Sequence, residues 1–287
     1  MSKREALLGI AVGRKGVGKT YATLELIQEY LNGNPATGAK PRKVLLLDVN
    51  NEFINIKADQ NQSFHHIKAI SLDDIKKFTL SSKVEARRVS ILKPNGGKMN
   101  LVEIAEALAH ILDNYQNGLL LIEDINKFVS DSLPNDLVGS IITQRHVSVD
   151  VITHFQSIGK AAHPKLWANC NWLRFHQCDD TVERHKTKFA GNTEHLRILE
   201  KMVNIEYEKG NKYFYAYLDK DRGKLMGAFT KRQFQYAIFQ YLQDNYNKVM
   251  KPMLNRKNII TGEPIYKNHK DLAIKTINDY TEKYYGN

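Results

Sequence analysis

Eight residues near the start of the chain, Gly13-Arg14-Lys15-Gly16-Val17-Gly18-Lys19-Thr20, have the types and spacing to hold a chain of phosphates. They fit the pattern G-x-x-x-x-G-K-[ST] at every fixed position. Glycines let backbone N–H groups curl around an anion, and the start of a following helix adds positive potential. In that arrangement Lys19 reaches the β- and γ-phosphates and the Thr20 hydroxyl ligates Mg²⁺. The motif has meaning only between a strand and a helix. Both are legible: the apolar run Leu7-Leu8-Gly9-Ile10-Ala11-Val12 precedes it and a helix-like stretch, Tyr21 to Leu31, follows. The expected ligands are ATP and Mg²⁺.

Phosphate chemistry also needs acid groups. Leu119-Leu120-Leu121-Ile122-Glu123-Asp124 is an apolar strand ending in two carboxylates. One is expected to hold Mg²⁺, largely through water, and the other to polarise the attacking water. Position makes Glu123 the metal-side residue and Asp124 the base. The usual order in this role is Asp then Glu, so the division of labour within the pair stays open. A third block runs from Gln144-Arg145 through the apolar stretch Val149-Asp150-Val151-Ile152-Thr153 to Gln156. A Gln at such a strand end can contact the γ-phosphate or its water, and an Arg at a subunit edge can reach a neighbour's ATP.

The elements that must position these groups follow from patterning. Strands are expected over Leu7–Val12, Lys43–Leu47, Arg88–Leu92, Leu119–Ile122, Val149–Thr153 and Trp172–His176. Helices are expected over Thr20–Leu31, Leu72–Phe78, Leu101–Asn114, Asn135–Thr143 and Pro164–Ala168. This alternation implies an α/β fold: a mostly parallel central sheet flanked by helices. Runs such as Leu119-Leu120-Leu121-Ile122 suit strands covered on both faces. Turn-rich loops span Asn32–Arg42 and Pro94–Lys98. Beyond about residue 180 the rhythm weakens. Lys212–Leu218 and Lys224–Phe229 read as a hairpin around Asp219–Gly223, followed by helices over Thr230–Tyr246 and Lys270–Tyr284. The expected division is a core over 1–180 and a basic α+β extension over 181–287.

The chain has 287 residues and a net charge of +11. Residues 181–287 hold 20 Lys and Arg against 12 Asp and Glu, so most of the excess lies there. A polyanionic partner, nucleic acid or an anionic membrane, is the expectation. Lys186, Lys188 and Lys201 are candidate phosphate contacts, equally explained as a solvated basic face. Two cysteines, Cys170 and Cys178, exclude a disulfide framework and suit a reduced, cytoplasmic setting. No apolar run approaches a membrane span, so a soluble protein is expected. His65, His66, His154, His163, His176 and His185 lack metal-ligand spacing and read as surface or packing residues. Tyr213, Phe214, Tyr215 and Tyr217 have rings that can stack on bases. Strand alternation assigns half of these rings to the core.

In order, the glycine loop, the carboxylate strand, Arg145, the strand and Gln156 resemble the FtsK–HerA superfamily of ring-forming DNA-pumping ATPases. Leu45-Leu46-Leu47-Asp48-Val49-Asn50-Asn51-Glu52-Phe53 is similar to the second-strand segment of HerA-like proteins. Ala168-Asn169-Cys170-Asn171-Trp172 is similar to the segment before the last core strand. Arg145-His146 resembles the viral and phage genome-packaging branch and the Zot-like morphogenesis proteins of filamentous phages. The resemblance covers roughly residues 5–180. It implies ATP hydrolysis coupled to non-specific DNA translocation by a homo-oligomeric ring, a hexamer, with Arg145 acting on the neighbour's site. It also implies a place in the host cytoplasm, at a virion or its assembly site, with a capsid or membrane partner protein. Zot-like extrusion and conjugative DNA transfer use the same engine. A P-loop kinase or nucleotide switch is the alternative of a different class, and no lid region supports it.

Overall fold

The computed structural model describes residues 5–51, 53, 67–93, 95–124, 135–189 and 191–287. Glu52, His65, His66 and Pro94 lie outside the described residues.

Parallel strands β1 (Leu8–Val12), β2 (Lys43–Asp48), β3 (Lys68–Ala69), β4 (Ala86–Ser90), β5 (Gly118–Ile122), β6 (Asp150–Phe155) and β7 (Trp172–His176) form most of one nine-stranded sheet. Antiparallel β8 (Tyr215–Asp219) and β9 (Lys224–Gly227) complete it, in the order β3-β4-β2-β5-β6-β1-β7-β8-β9. β6 therefore lies between the strand that precedes the glycine loop and the strand that ends in the carboxylates.

Both faces of the central strands are covered, as their unbroken apolar runs require. In β2, Val44 and Leu46 join one buried cluster while Leu45 and Leu47 join the other. In β5, Leu119 and Leu121 divide from Leu120 and Ile122 in the same way. This is the two-residue period of a strand between two layers. α1 (Lys19–Asn32) covers one face with Leu24 and Ile27. α3 (Leu101–Asn114) covers the other with Ile104, Leu108 and Ile111. Asn100 starts α3: its side chain accepts the Glu103 N–H at 2.9 Å, and Glu103 reaches back to the Asn100 N–H at 2.7 Å. Such a reciprocal cap fixes where a helix begins. Leu121 is wholly buried, so Leu121→Ala would cost about 2–5 kcal/mol.

The sheet continues past residue 180. β8 pairs with β7 from Trp172↔Asp219 to His176↔Tyr215. α7 (Thr193–Glu208), α8 (Lys231–Asp244) and α10 (His269–Tyr284) place Leu196, Leu199, Phe234, Ile238 and Leu272 in the same cluster as Ile10 and Leu45. Cys170 and Cys178 are free and buried, and burial pushes both thiols up to about 12. Among the described residues, no helix is long and apolar enough to cross a membrane.

Candidate active site

Parallel strands point their carboxyl ends to one edge of the sheet, and ligands gather where the strand order reverses. Here the chain leaves β1 and returns at β2, with β5 and β6 inserted between them later. The Gly13–Thr20 loop leaves the end of β1 and runs into α1. Its path is fixed by Gly13 N–H donating to the Phe155 carbonyl at 3.2 Å and Arg14 N–H to the Gln177 carbonyl at 2.9 Å. Gly13 has φ +156°, and a Cβ there would meet the His176 Cβ at 2.6 Å. Only glycine fits that position.

Lys15, Gly16, Gly18, Lys19 and Thr20 line a cavity of about 790 Å³. Asn50 from the end of β2, Glu123 and Asp124 from the end of β5, and Gln156 from the end of β6 line it too. The glycine loop, and the carboxylate pair and glutamine that lie more than a hundred residues after it in sequence, thus share one cavity. Lys19 folds its ammonium back onto the loop, donating to the carbonyls of Gly13 and Arg14, the latter at 2.9 Å. Arg14 turns away from the cavity, pairing with Asp179 at 3.1 Å and donating to the Tyr207 hydroxyl. Val17 is buried.

The two carboxylates have different surroundings. Glu123 accepts from or shares a proton with His154 Nδ1 at 3.0 Å, and both side chains are buried. His154 Nε2 in turn meets the Thr23 hydroxyl at 2.9 Å. Arg174, also buried, donates to Thr23 Oγ1 and to the Lys19 carbonyl at 3.2 Å. Burial alone raises the Glu123 carboxyl, but His154, Lys19 and Arg174 outweigh it and hold it below the usual carboxylate range. Asp124 accepts Gln156 Nε2 at 2.8 and 2.9 Å and Asn50 Nδ2 at 3.0 Å. Its backbone has φ +46°, a left-handed geometry few non-glycine residues adopt. Strained backbone of this kind clusters where side chains must be aimed.

Arg145 is elsewhere. It is exposed, in a 3₁₀ turn (Gln144–Val147) before β6, whereas Gln156 follows β6. Six strand residues at about 3.3 Å each put roughly 20 Å between those ends. Arg145 is therefore outside the cavity and borders Glu5, Leu7 and Asn171 instead. Asp48, quoted for the resemblance, is a brace. Its carboxylate takes Arg88 at 3.4 Å and the Phe53 N–H at 3.3 Å. Lys186 and Lys201 are paired with Glu183 and Asp244.

Asn50, His154 and Arg174 carry site roles that sequence patterning alone did not assign. Asn50 had a signal, since it is a polar residue just past the carboxyl end of a buried parallel strand. Among the described residues no three His, Cys, Asp or Glu side chains gather as a metal cage, and His154 stands against Glu123. Its packing role includes orienting Glu123.

A mostly parallel α/β sheet with a G-x-x-x-x-G-K-T loop after β1, paired carboxylates after β5 and a glutamine after the strand between them is the P-loop NTPase fold. Among solved structures the chain is similar to the genome packaging NTPase B204 from Sulfolobus turreted icosahedral virus 2. In its AMP complex the identity is 14%, the TM-score 0.49, and coverage 79% of this chain and 100% of that one. In its ATP-gammaS complex the values are 13%, 0.46, 78% and 96%. The N-terminal domain of zonular occludens toxin from Neisseria meningitidis is similar at 14% identity, TM-score 0.32, 61% of this chain and 79% of that one. No protein-family model and no curated protein sequence matches the chain.

Proposed function

We propose that the protein hydrolyses ATP and uses the energy to move DNA, in packaging a viral or phage genome. The observation that carries the ATPase reading is the convergence of Lys19, Thr20, Glu123, Asp124 and Gln156 on one cavity. The loop N–H groups and Lys19 bind the β- and γ-phosphates. Lys19 exchanges its loop carbonyls for phosphate oxygens when ATP enters. Asp124 takes a proton from water as the water oxygen bonds to the γ-phosphorus. The bond to the β-phosphate oxygen breaks, leaving ADP and phosphate. Gln156 and Asn50 aim Asp124 and report whether the γ-phosphate is present.

The donor set suits Mg²⁺, which keeps several waters and takes one or two carboxylates with substrate phosphates. Thr20 and the ionised Glu123 would hold it, and when bound it neutralises charge on the phosphate oxygens. Assembly into a ring would bring Arg145 of one subunit to the site of the next. The net charge and the sequence resemblance favour DNA as the polymer moved, by phosphate contacts that weaken as salt rises.

The test is the ATPase rate with and without double-stranded DNA, together with the oligomeric state in ATP and Mg²⁺. Stimulation by DNA in a ring supports the reading. A monomer indifferent to DNA defeats translocation and favours a kinase or switch. Arg145→Ala should bind ATP yet turn it over slowly, and mixing it with Lys19→Ala should restore activity. No rescue rules out action across the subunit boundary.

A further inference from the structure

The cavity bordered by the glycine loop, the two carboxylates and Gln156 is also lined by two aromatic rings. Tyr21, the residue after Thr20, is 53% exposed and Tyr213 is 56% exposed, and both line the cavity. We propose that they form the nucleobase subsite, with the base stacked on the Tyr213 ring. This rests on the reading that the glycine loop holds a triphosphate.

Tyr213 is held in place. The turn after α7 is closed by Gly210 N–H to the Tyr207 carbonyl at 2.9 Å and Asn211 N–H to the Glu206 carbonyl at 3.0 Å. Phe214 N–H bonds back to the Asn211 carbonyl at 3.2 Å, and its ring is buried as an anchor. The Lys212 ammonium is 4.8 Å from the Tyr213 ring centroid. The ring lies against the phosphate loop: a Cβ on Gly18 would come within 3.1 Å of Tyr213 Cδ1. Gly18 has φ +82°, so a glycine there serves both the backbone and the ring.

Direction follows from the chemistry. The γ-phosphate belongs beside Asp124 and Gln156, where water is activated. The rest of the nucleotide then runs along the loop, past Lys19 and Thr20, toward Gly18 and Tyr21. The sugar and base leave the loop where the two rings stand. A cavity of about 790 Å³ is of the size that takes a whole nucleotide rather than a triphosphate alone. Every base has a π-face, so stacking binds without choosing among bases. Binding of ATP and GTP should therefore be similar. The segment beyond residue 180 contributes directly to the site through Tyr213.

The experiment is calorimetric titration of the full chain with ATP and, separately, with inorganic tripolyphosphate, which has no base. Tyr213→Ala should weaken ATP binding about ten-fold and leave tripolyphosphate binding unchanged. Tyr213→Phe should bind both as the unmodified chain does. Equal weakening for both ligands, no weakening for ATP, or Phe behaving as Ala would overturn the subsite. If the unmodified chain binds neither ligand, the phosphate-loop reading falls first and takes the subsite with it.

Discussion

At the amino ends of the strands, Asp150 is a buried carboxylate with donors on every side. It accepts the Leu7 N–H at 2.7 Å, the Tyr30 hydroxyl at 2.6 Å and Arg42 at 2.6 Å. Arg42 also donates to the carbonyls of Gly118, at 3.1 Å, and Ser148. At the carboxyl ends, Glu123 and Asp124 are buried almost as deeply, yet both border a cavity. Their partners include the His154 imidazole and the side-chain amides of Gln156 and Asn50, and the two amide residues line the cavity as well. In the proposed mechanism the same residue type thus braces one end of the sheet and does chemistry at the other. Burial does not separate the two settings; bordering the cavity does.

The sharpest way to break this contrast is Asp150→Ala. It strands Arg42 against buried carbonyls, and a broken buried pair costs about 3–5 kcal/mol. The urea midpoint should drop accordingly, while the protein that remains folded binds ATP as before. At the other end, Asp124→Asn should do the reverse. Asn tolerates the left-handed backbone, so the midpoint should barely move, while turnover falls about a hundred-fold or more. Lys19→Ala should lose turnover to at least that extent and lose nucleotide affinity as well. A finer probe is His154→Ala, which frees Glu123 from its orienting partner. The Mg²⁺ concentration for half-maximal turnover should rise about ten-fold.

The smallest effect is in pH. His176 is buried beneath the loop with its Nδ1 3.1 Å from the Val17 carbonyl. Burial first, then the nearby Arg174 and Lys19 charges, hold its pKa well below the ordinary histidine value. Unfolding releases it to that ordinary value of about 6.5. Below that pH the unfolded chain takes up a proton that the folded chain refuses, so stability falls as pH falls. The slope is at most about 1.4 kcal/mol per pH unit. His176→Gln should flatten the urea midpoint between about pH 6.5 and 5.

Much of this was legible in the sequence because the relevant forces are local. β2, β5 and β7 are read within a residue from apolar runs, and α3 to the residue because Asn100 and Glu103 cap it. α7 was missed. Its first turn has no side-chain cap, and charged residues interrupt an apolar spacing (Leu196, Leu199, Met202, Val203) that was present to be read. β3 is two residues long and has no pattern of its own. The expected strand from Lys212 begins at Tyr215, because residues 211–214 close a turn. That displacement is what takes Tyr213 off the sheet and onto the loop. Phe214 is buried, as alternation predicts for half the aromatic run. His154 and Arg174 were illegible as a pair, since only strand register sets them beside Thr23. The loop, Glu123, Asp124 and Gln156 could be brought together from the sequence because each stands at the end of a readable strand, and they line one cavity.

One edge of the sheet is sealed by the chain itself. Gly286 N–H donates to the Leu225 carbonyl at 3.0 Å beside β9. Asn287 accepts the Gly227 N–H at 2.9 Å and donates to the Phe229 carbonyl at 2.9 Å. An unsealed edge is a template on which another chain can zip. Gly286 and Asn287 take up groups of β9 and of the segment after it that such pairing would need. In the proposed ring, subunits would meet there through side chains of helices and loops. Such seams can slip and re-form, as a motor whose parts shift at each turnover requires.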